Sequence, residues 1–196
     1  LYPAVSDYWN SKTQSHAIAE YDEILNNMDD KQYQKLLSEA EDYNERLKSL
    51  YSPLENYSEI EGYENSLDVT GTGIMGYVTI PEISVELPIY HGTSDEVLNV
   101  AVGHVQGSTL PIGGKSTHSV ISAHRGLPSA KLFSDLDELS EGDIFTLTVL
   151  NNVLTYEVDK GDSVSFKERE FRDLYRSEYS GDPSYVCLLY TSPSPR

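Results

Sequence analysis

The sequence predicts a mainly β domain behind a helical extension, and three observations carry that reading. Apolar residues recur at three- and four-residue spacing up to about residue 50. From residue 74 the period shortens to alternating strands punctuated by Gly and Pro. Asn151-Asn152 then sits between two alternating runs, as a hairpin turn does.

The elements follow in order. Residues 6–26 carry Tyr8, Trp9, Ala17, Ile18, Tyr21 and Leu25 and read as a first helix. In 29–50, Tyr33, Leu36, Leu37, Ala40, Tyr43, Leu47 and Leu50 fall on one stripe of a second helix, with Asp29 or Asp30 able to cap its start. Joined at Asn27 to Asp29, the two form a helical hairpin, read as a layer packed on the domain surface. Residues 1–50 are therefore assigned to an N-terminal helical extension. Periodicity is lost over 51–73, where Pro53, Gly62, Gly71 and Gly73 alternate with Glu55, Glu59, Glu61 and Glu64; this is expected to be an acidic, solvated linker. Strands are expected at 74–80 and 85–90, around a turn at Pro81, and at 116–123, with a short helix at 94–102. The 145–149 and 154–158 runs make the hairpin. Many short strands argue for a β-barrel or sandwich.

Composition limits the function. With 14 Lys+Arg against 32 Asp+Glu the net charge is −18, and residues 51–100 hold no Lys or Arg at all. So acidic a surface repels a phosphate backbone, whose affinity comes from cationic side chains; nucleic acid is not an expected partner. A 38% apolar and 10% aromatic content can build a core. No apolar run approaches the roughly 18 residues of a membrane helix. The chain opens on Leu1 rather than Met, as expected of a fragment whose upstream segment is missing. One cysteine, Cys187, leaves no internal disulfide and no multi-Cys metal site.

The five histidines are His16, His91, His104, His118 and His124. None forms an HxxxH or HExxH pair, so no metal site and no cofactor is expected. His118 and His124 are six apart and can share a strand face. His124 stands out: it ends the apolar run Val120-Ile121-Ser122-Ala123 and precedes Arg125-Gly126-Leu127-Pro128, where a rigid strand fixes a side chain and a loop exposes it. The competing reading is a histidine hydrogen-bonded at a barrel rim.

Four stretches carry a resemblance: Gly73-Ile-Met-Gly-Tyr-Val-Thr-Ile-Pro-Glu-Ile; Leu87-Pro-Ile-Tyr-His-Gly-Thr-Ser; Val102-Gly-His-Val-Gln-Gly-Ser-Thr-Leu-Pro-Ile-Gly-Gly; and Thr117-His-Ser-Val-Ile-Ser-Ala-His-Arg-Gly-Leu-Pro-Ser-Ala-Lys-Leu-Phe-Ser-Asp-Leu. Together they resemble class C sortases, the pilus-assembling cysteine transpeptidases of Gram-positive bacteria, over residues 1 to about 160. The resemblance implies an eight-stranded sortase β-barrel with an N-terminal two-helix extension, occupying 74–186 here with its last strands missing. It implies a thiolate that attacks a Leu-Pro-x-Thr-Gly-like sorting signal and a pilin lysine amine that resolves the acyl-enzyme. It places the protein on the extracellular face of the cell membrane, tethered only through segments absent from this chain. His124 matches the family's catalytic histidine, which holds the thiolate and protonates the leaving amine; His104 matches a position read as structural.

The pattern breaks at the end. The family's Thr-Leu-x-Thr-Cys strand and following arginine are absent, so the nucleophile is unknown. Cys187 lies 63 residues after His124, in Tyr185-Val-Cys-Leu-Leu-Tyr-Thr-Ser-Pro-Ser-Pro-Arg196. The expectation is that native sequence stops near Val186 and that 187–196 is a non-native tail, a displaced nucleophile and a natural pseudoenzyme remaining as alternatives. Neither Arg125 nor Arg196 earns the oxyanion role. The family's lid, an Asp-Pro-aromatic motif, has Ser52-Pro53-Leu54 as its candidate, with Pro53 and Leu54 at the key positions. A helix terminated by Pro53 is the plainer reading. The competing function is a catalytically dead scaffold or adhesion domain on the same fold.

Overall fold

The computed structural model describes residues 2–127, 130–158 and 184–191, with side chains from Asn10 onward and, in the last stretch, at Leu188. The expectations for 159–183 and for 192–196, and for the side chains of Tyr8, Trp9 and Cys187, lie outside the described residues.

Helix α1 spans Tyr2–Asn26 and α2 spans Asp30–Lys48. The Asp29 carboxylate caps α2 by accepting the Gln32 N–H at 2.8 Å, and Arg46 and Lys48 occupy its last turn, so both ends of the helix dipole are complemented. Both helices lie on the sheet through the expected stripes. Ile18, Tyr21 and Leu25 are buried from α1, and Ala40, Tyr43 and Leu47 from α2. Tyr21 is pinned at both ends of its polar tip: its hydroxyl donates to Met75 O at 2.8 Å and accepts the Leu150 N–H at 3.0 Å. Asn44 replaces a missing ladder partner, donating to Leu110 O at 3.2 Å and accepting the Leu110 N–H at 2.7 Å.

Seven strands form one sheet among the described residues: β1 Ile74–Ile80, β2 Val85–His91, β3 Val102–His104, β4 Thr117–His124, β5 Ile144–Val149, β6 Asn152–Glu157 and β7 Ser184–Thr191. Their order is β6-β5-β1-β2-β3-β4-β7. Two pairs are parallel, β2 with β3 and β4 with β7; the rest are antiparallel. The mainly β architecture behind two helices is the one expected. Strand β4 is buried at all eight positions, which explains its run of apolar and small residues.

Several details differ from the expectation: the helix expected at 94–102 spans only Asp95–Leu98, Val102 opens β3, and β7 runs past 186. The β5–β6 turn is centred on Leu150-Asn151, both at positive φ (48° and 62°), which is the two-residue geometry that matches strand twist. It is shifted one residue because Tyr21 holds the Leu150 N–H and Leu150 itself is fully buried. The acidic stretch after α2 is anchored rather than solvated throughout. It forms the short helix α3, Pro53–Asn56, and 3₁₀ turns at Tyr57–Glu59 and Tyr63–Asn65, and it buries Tyr63 and Leu67. Tyr63 and Leu67 dock it together with half-buried Tyr57, Ile60 and Val69, which also pack against the core.

Candidate active site

Tyr63, carried by the acidic stretch, ties that stretch to β3. Its hydroxyl lies 2.9 Å from His104 Nδ1 and 3.0 Å from His104 O, and it accepts the Gly92 N–H at 3.0 Å. The His104 ring stacks on the Tyr63 ring and is fully buried; its Nε2 faces Thr109 O at 3.0 Å. Nε2 therefore carries the proton and Nδ1 accepts from Tyr63. Burial pushes His104 down to about 4, so it is neutral and structural at ordinary pH.

His124 is the last residue of β4, 7% exposed. Side chains alternate along a strand, so His118, Val120, Ser122 and His124 share one face, while Ile121 and Ala123 enter the main core from the other. His118 and His124 share a face as expected, but six residues of strand separate them by about 20 Å. Burial also pushes His118 down to about 4. Ser122, two residues before His124 on its face, is buried with no hydrogen-bond partner for its hydroxyl among the described residues.

Strand β7 lies beside β4, in parallel, along the whole of this face. Its register pairs Val120 with Cys187 and His124 with Thr191. Cys187 thus stands four residues short of His124, about 13 Å along the strand, whereas a nucleophile and its base meet at about 3 Å. The pairing also runs through the 186/187 boundary expected for a foreign tail. Half-buried Leu188 packs against the core. When the Thr-Leu-x-Thr-Cys pattern is laid on Cys187-Leu-Leu-Tyr-Thr191 with Leu188 as its leucine, the final cysteine falls on Thr191, the partner of His124.

The connection leaving β4 folds back on the strand end. Phe133 N–H donates to His124 O at 3.3 Å, Gly126 N–H donates to Ser134 Oγ at 3.1 Å, and Arg125 Nη2 meets Asp137 Oδ2 at 2.7 Å. Arg125 is thus paired to a carboxylate rather than presented as an oxyanion donor. The lid candidates sit elsewhere. A Cβ on Gly107 would lie 2.7 Å from Leu54 Cα and 2.8 Å from Pro53 O, so Pro53 and Leu54 rest on the β3–β4 connection. Next to that seat, the Ser108 hydroxyl accepts the Val120 N–H at 3.1 Å, which puts Pro53 and Leu54 nearer the level of Val120 than of His124. Neither Tyr63 nor Asp137 was singled out by the sequence reading. Their partners are 41 and 12 residues away, and no local pattern marks them.

Residues 78–187 of this chain match the sortase domain, more than half of its length. The chain belongs to the sortase family. Its structural neighbours are class C sortases. The crystal structure of sortase C1 from Streptococcus agalactiae superposes with a TM-score of 0.75 at 40% identity, covering 91% of this chain and 90% of that one. Sortase C of Streptococcus pneumoniae gives 0.72 at 36% identity, covering 91% and 88%. Sortase D of Bacillus subtilis is 32% identical over 127 residues, 59% of this chain. The chain spans 61% of the length of that curated relative. The expected fold and family are thus both found, within a family of cell-surface transpeptidases.

Proposed function

We propose that this sortase chain is the extracellular part of a cysteine transpeptidase that cleaves a Leu-Pro-x-Thr-Gly-like sorting signal and joins it to a lysine amine, in pilus assembly or surface-protein anchoring. The observation that carries the reading is the parallel register that sets His124 beside position 191 at the ends of β4 and β7. A thiolate at 191 would attack the Thr–Gly carbonyl. His124, protonated by that thiol, would give its proton to the departing glycine amine. The thioester would then be resolved by the lysine amine, whose proton returns to His124. The neighbour from S. pneumoniae, described in terms of pilin substrate specificity, supports the pilin class of substrate. A position at the outer face of the cell membrane follows from that substrate. A lid role for Pro53 and Leu54 would have to be exercised from their seat on Gly107, nearer the level of Val120 than of His124.

A second reading, a catalytically dead scaffold, has its own observation: the residue whose ladder position pairs with His124 is a threonine and not a cysteine. The two readings part on whether 187–196 is native sequence. Sequencing the gene from the codon of Asp182 onward is expected to return Thr-Leu-x-Thr-Cys followed by an arginine; the present tail in the genome would select the scaffold.

Function itself is tested by adding a Leu-Pro-x-Thr-Gly peptide to the Thr191→Cys protein and looking for the thioester by mass spectrometry. An adduct that disappears on His124→Ala is the expected result. No adduct, or one indifferent to His124, would overturn the transpeptidase reading.

A further inference from the structure

Strand β2 ends at His91, and residues 92–101 cross from there to β3 by way of the short helix α4, Asp95–Leu98. The acidic stretch grips the start of this crossing twice. The His91 ring lies between two of its carbonyl oxygens, Nε2 at 2.7 Å from Ser66 O and Nδ1 at 2.8 Å from Gly73 O, and stands edge-on to the Tyr63 ring. The next residue, Gly92, donates its N–H at 3.0 Å to the Tyr63 hydroxyl that also meets His104. Gly92 has φ +72°, and a Cβ there would touch no described atom within 4 Å, so side-chain packing does not hold this turn and the bond to Tyr63 does. The far end of the crossing is tied to α1, where Gln14 Nε2 donates to Val100 O at 2.6 Å.

Glycine at 103 shows which face of the sheet the crossing covers. A Cβ on Gly103 would collide with Gly92 O and stand 3.3 Å from Leu98 Cδ2, so the crossing rests on the face to which position 103 points. Gly103 is the ladder partner of Ser122, and ladder partners share a face. Alternation gives that same face to His124, about 7 Å further along β4. Residues 92–98 therefore form a wall beside the strand that carries His124. Leu98 is buried at its base, and Ser94 to Glu96 are exposed at its rim.

We propose that Tyr63 is a positioning residue for this wall: by holding Gly92 it fixes where residues 92–98 stand on the His124 face, and so links the acidic stretch to the surface that receives a sorting peptide. A hydroxyl on one segment then sets the shape of another, because the bond it makes is the one that locates a turn with no side chain of its own. The part of this inference that concerns the peptide rests on the proposed transpeptidase reading. The link from Tyr63 to Leu98 and Ser122 does not.

The test compares two deletions of the same kind. Tyr63→Phe and Tyr21→Phe each remove a buried hydroxyl that accepts one backbone N–H, and only the first bears on the crossing. In NMR spectra of the full chain, Tyr63→Phe is expected to move the Leu98 methyl and Ser122 amide resonances, and Tyr21→Phe to leave both in place. His91→Gln releases the second grip and should move the same two resonances; if Tyr63→Phe does not fold, unmoved resonances in His91→Gln overturn the proposal. A Leu-Pro-x-Thr-Gly peptide titrated into each protein should bind Tyr63→Phe about 3- to 10-fold more weakly than it binds the parent or Tyr21→Phe. Changes confined to residues 62–73 and His104 would overturn the proposal, and so would equal peptide affinity in all three proteins. If the resonances move and the peptide does not bind the parent, the transpeptidase reading falls and the link from Tyr63 to the wall stands. If the peptide binds the parent while Leu98 and Ser122 do not respond, only this inference falls.

Discussion

His124 and Thr191 are ladder partners at the ends of two parallel strands, and Cys187 pairs four residues lower with Val120. Under the proposed role of His124, that relationship assigns the nucleophile to position 191 rather than 187. It does so through the backbone alone, because strand rise fixes how far apart two positions on neighbouring strands stand.

Thiol reactivity follows from it. In a Cys187→Ser background, Thr191→Cys should alkylate quickly below pH 7, since a thiol beside a protonatable imidazole has a depressed pKa. Cys187, whose ladder position is four residues short of that of His124, should lack this fast phase in the parent. Iodoacetamide rates between pH 5 and 8 measure both; equal profiles would remove the register argument.

Stability should fall on acidification. His104 and His118 are held near 4 by burial, against 6.5 when exposed in the unfolded chain. Between those values the unfolded state binds more protons, so stability is full above about pH 6.5 and declines as pH drops toward 4. The difference is on the order of 3 kcal/mol for each histidine, a large share of a typical domain's 5–15 kcal/mol. Urea unfolding at pH 7.5, 6 and 5 reads the slope; a flat series would mean that the two rings are not buried as neutral groups.

Removing one hydroxyl should loosen the acidic stretch. Tyr63→Phe deletes the group that bonds His104 and accepts the Gly92 N–H, at a cost of about 1–3 kcal/mol with the core otherwise unchanged. Thermal melts give the cost. Hydrogen exchange over residues 62–73 should speed up more than exchange in β5, and equal changes in both would show that Tyr63 does not anchor this stretch.

Gly107→Ala should unseat α3. Gly107 has φ +88° and no room for a Cβ beneath Leu54, so the substitution costs about 1–3 kcal/mol of strain or displaces the segment. Limited chymotrypsin digestion should cut sooner at Tyr51 or Tyr57. Unchanged cleavage would show that 53–54 is held elsewhere.

Much of this molecule was legible in its sequence, for local reasons. The stripe from Tyr33 to Leu50, the strand periods and the turn near Asn151 depend on neighbours within a few residues, and they appear in the structure within a residue or two of where the pattern puts them. The resemblance around Thr117 to Leu136 pointed to the family and to His124. Tertiary structure decided the rest. The Tyr63–His104 bond spans 41 residues, the Tyr21–Leu150 bond 129, and the pairing of His124 with Thr191 depends on how two distant strands slide past each other. Sequence periodicity determines which face of a strand a residue takes. Only the packed sheet determines what stands opposite it, because register is set by the summed burial of both strands and not by either one alone.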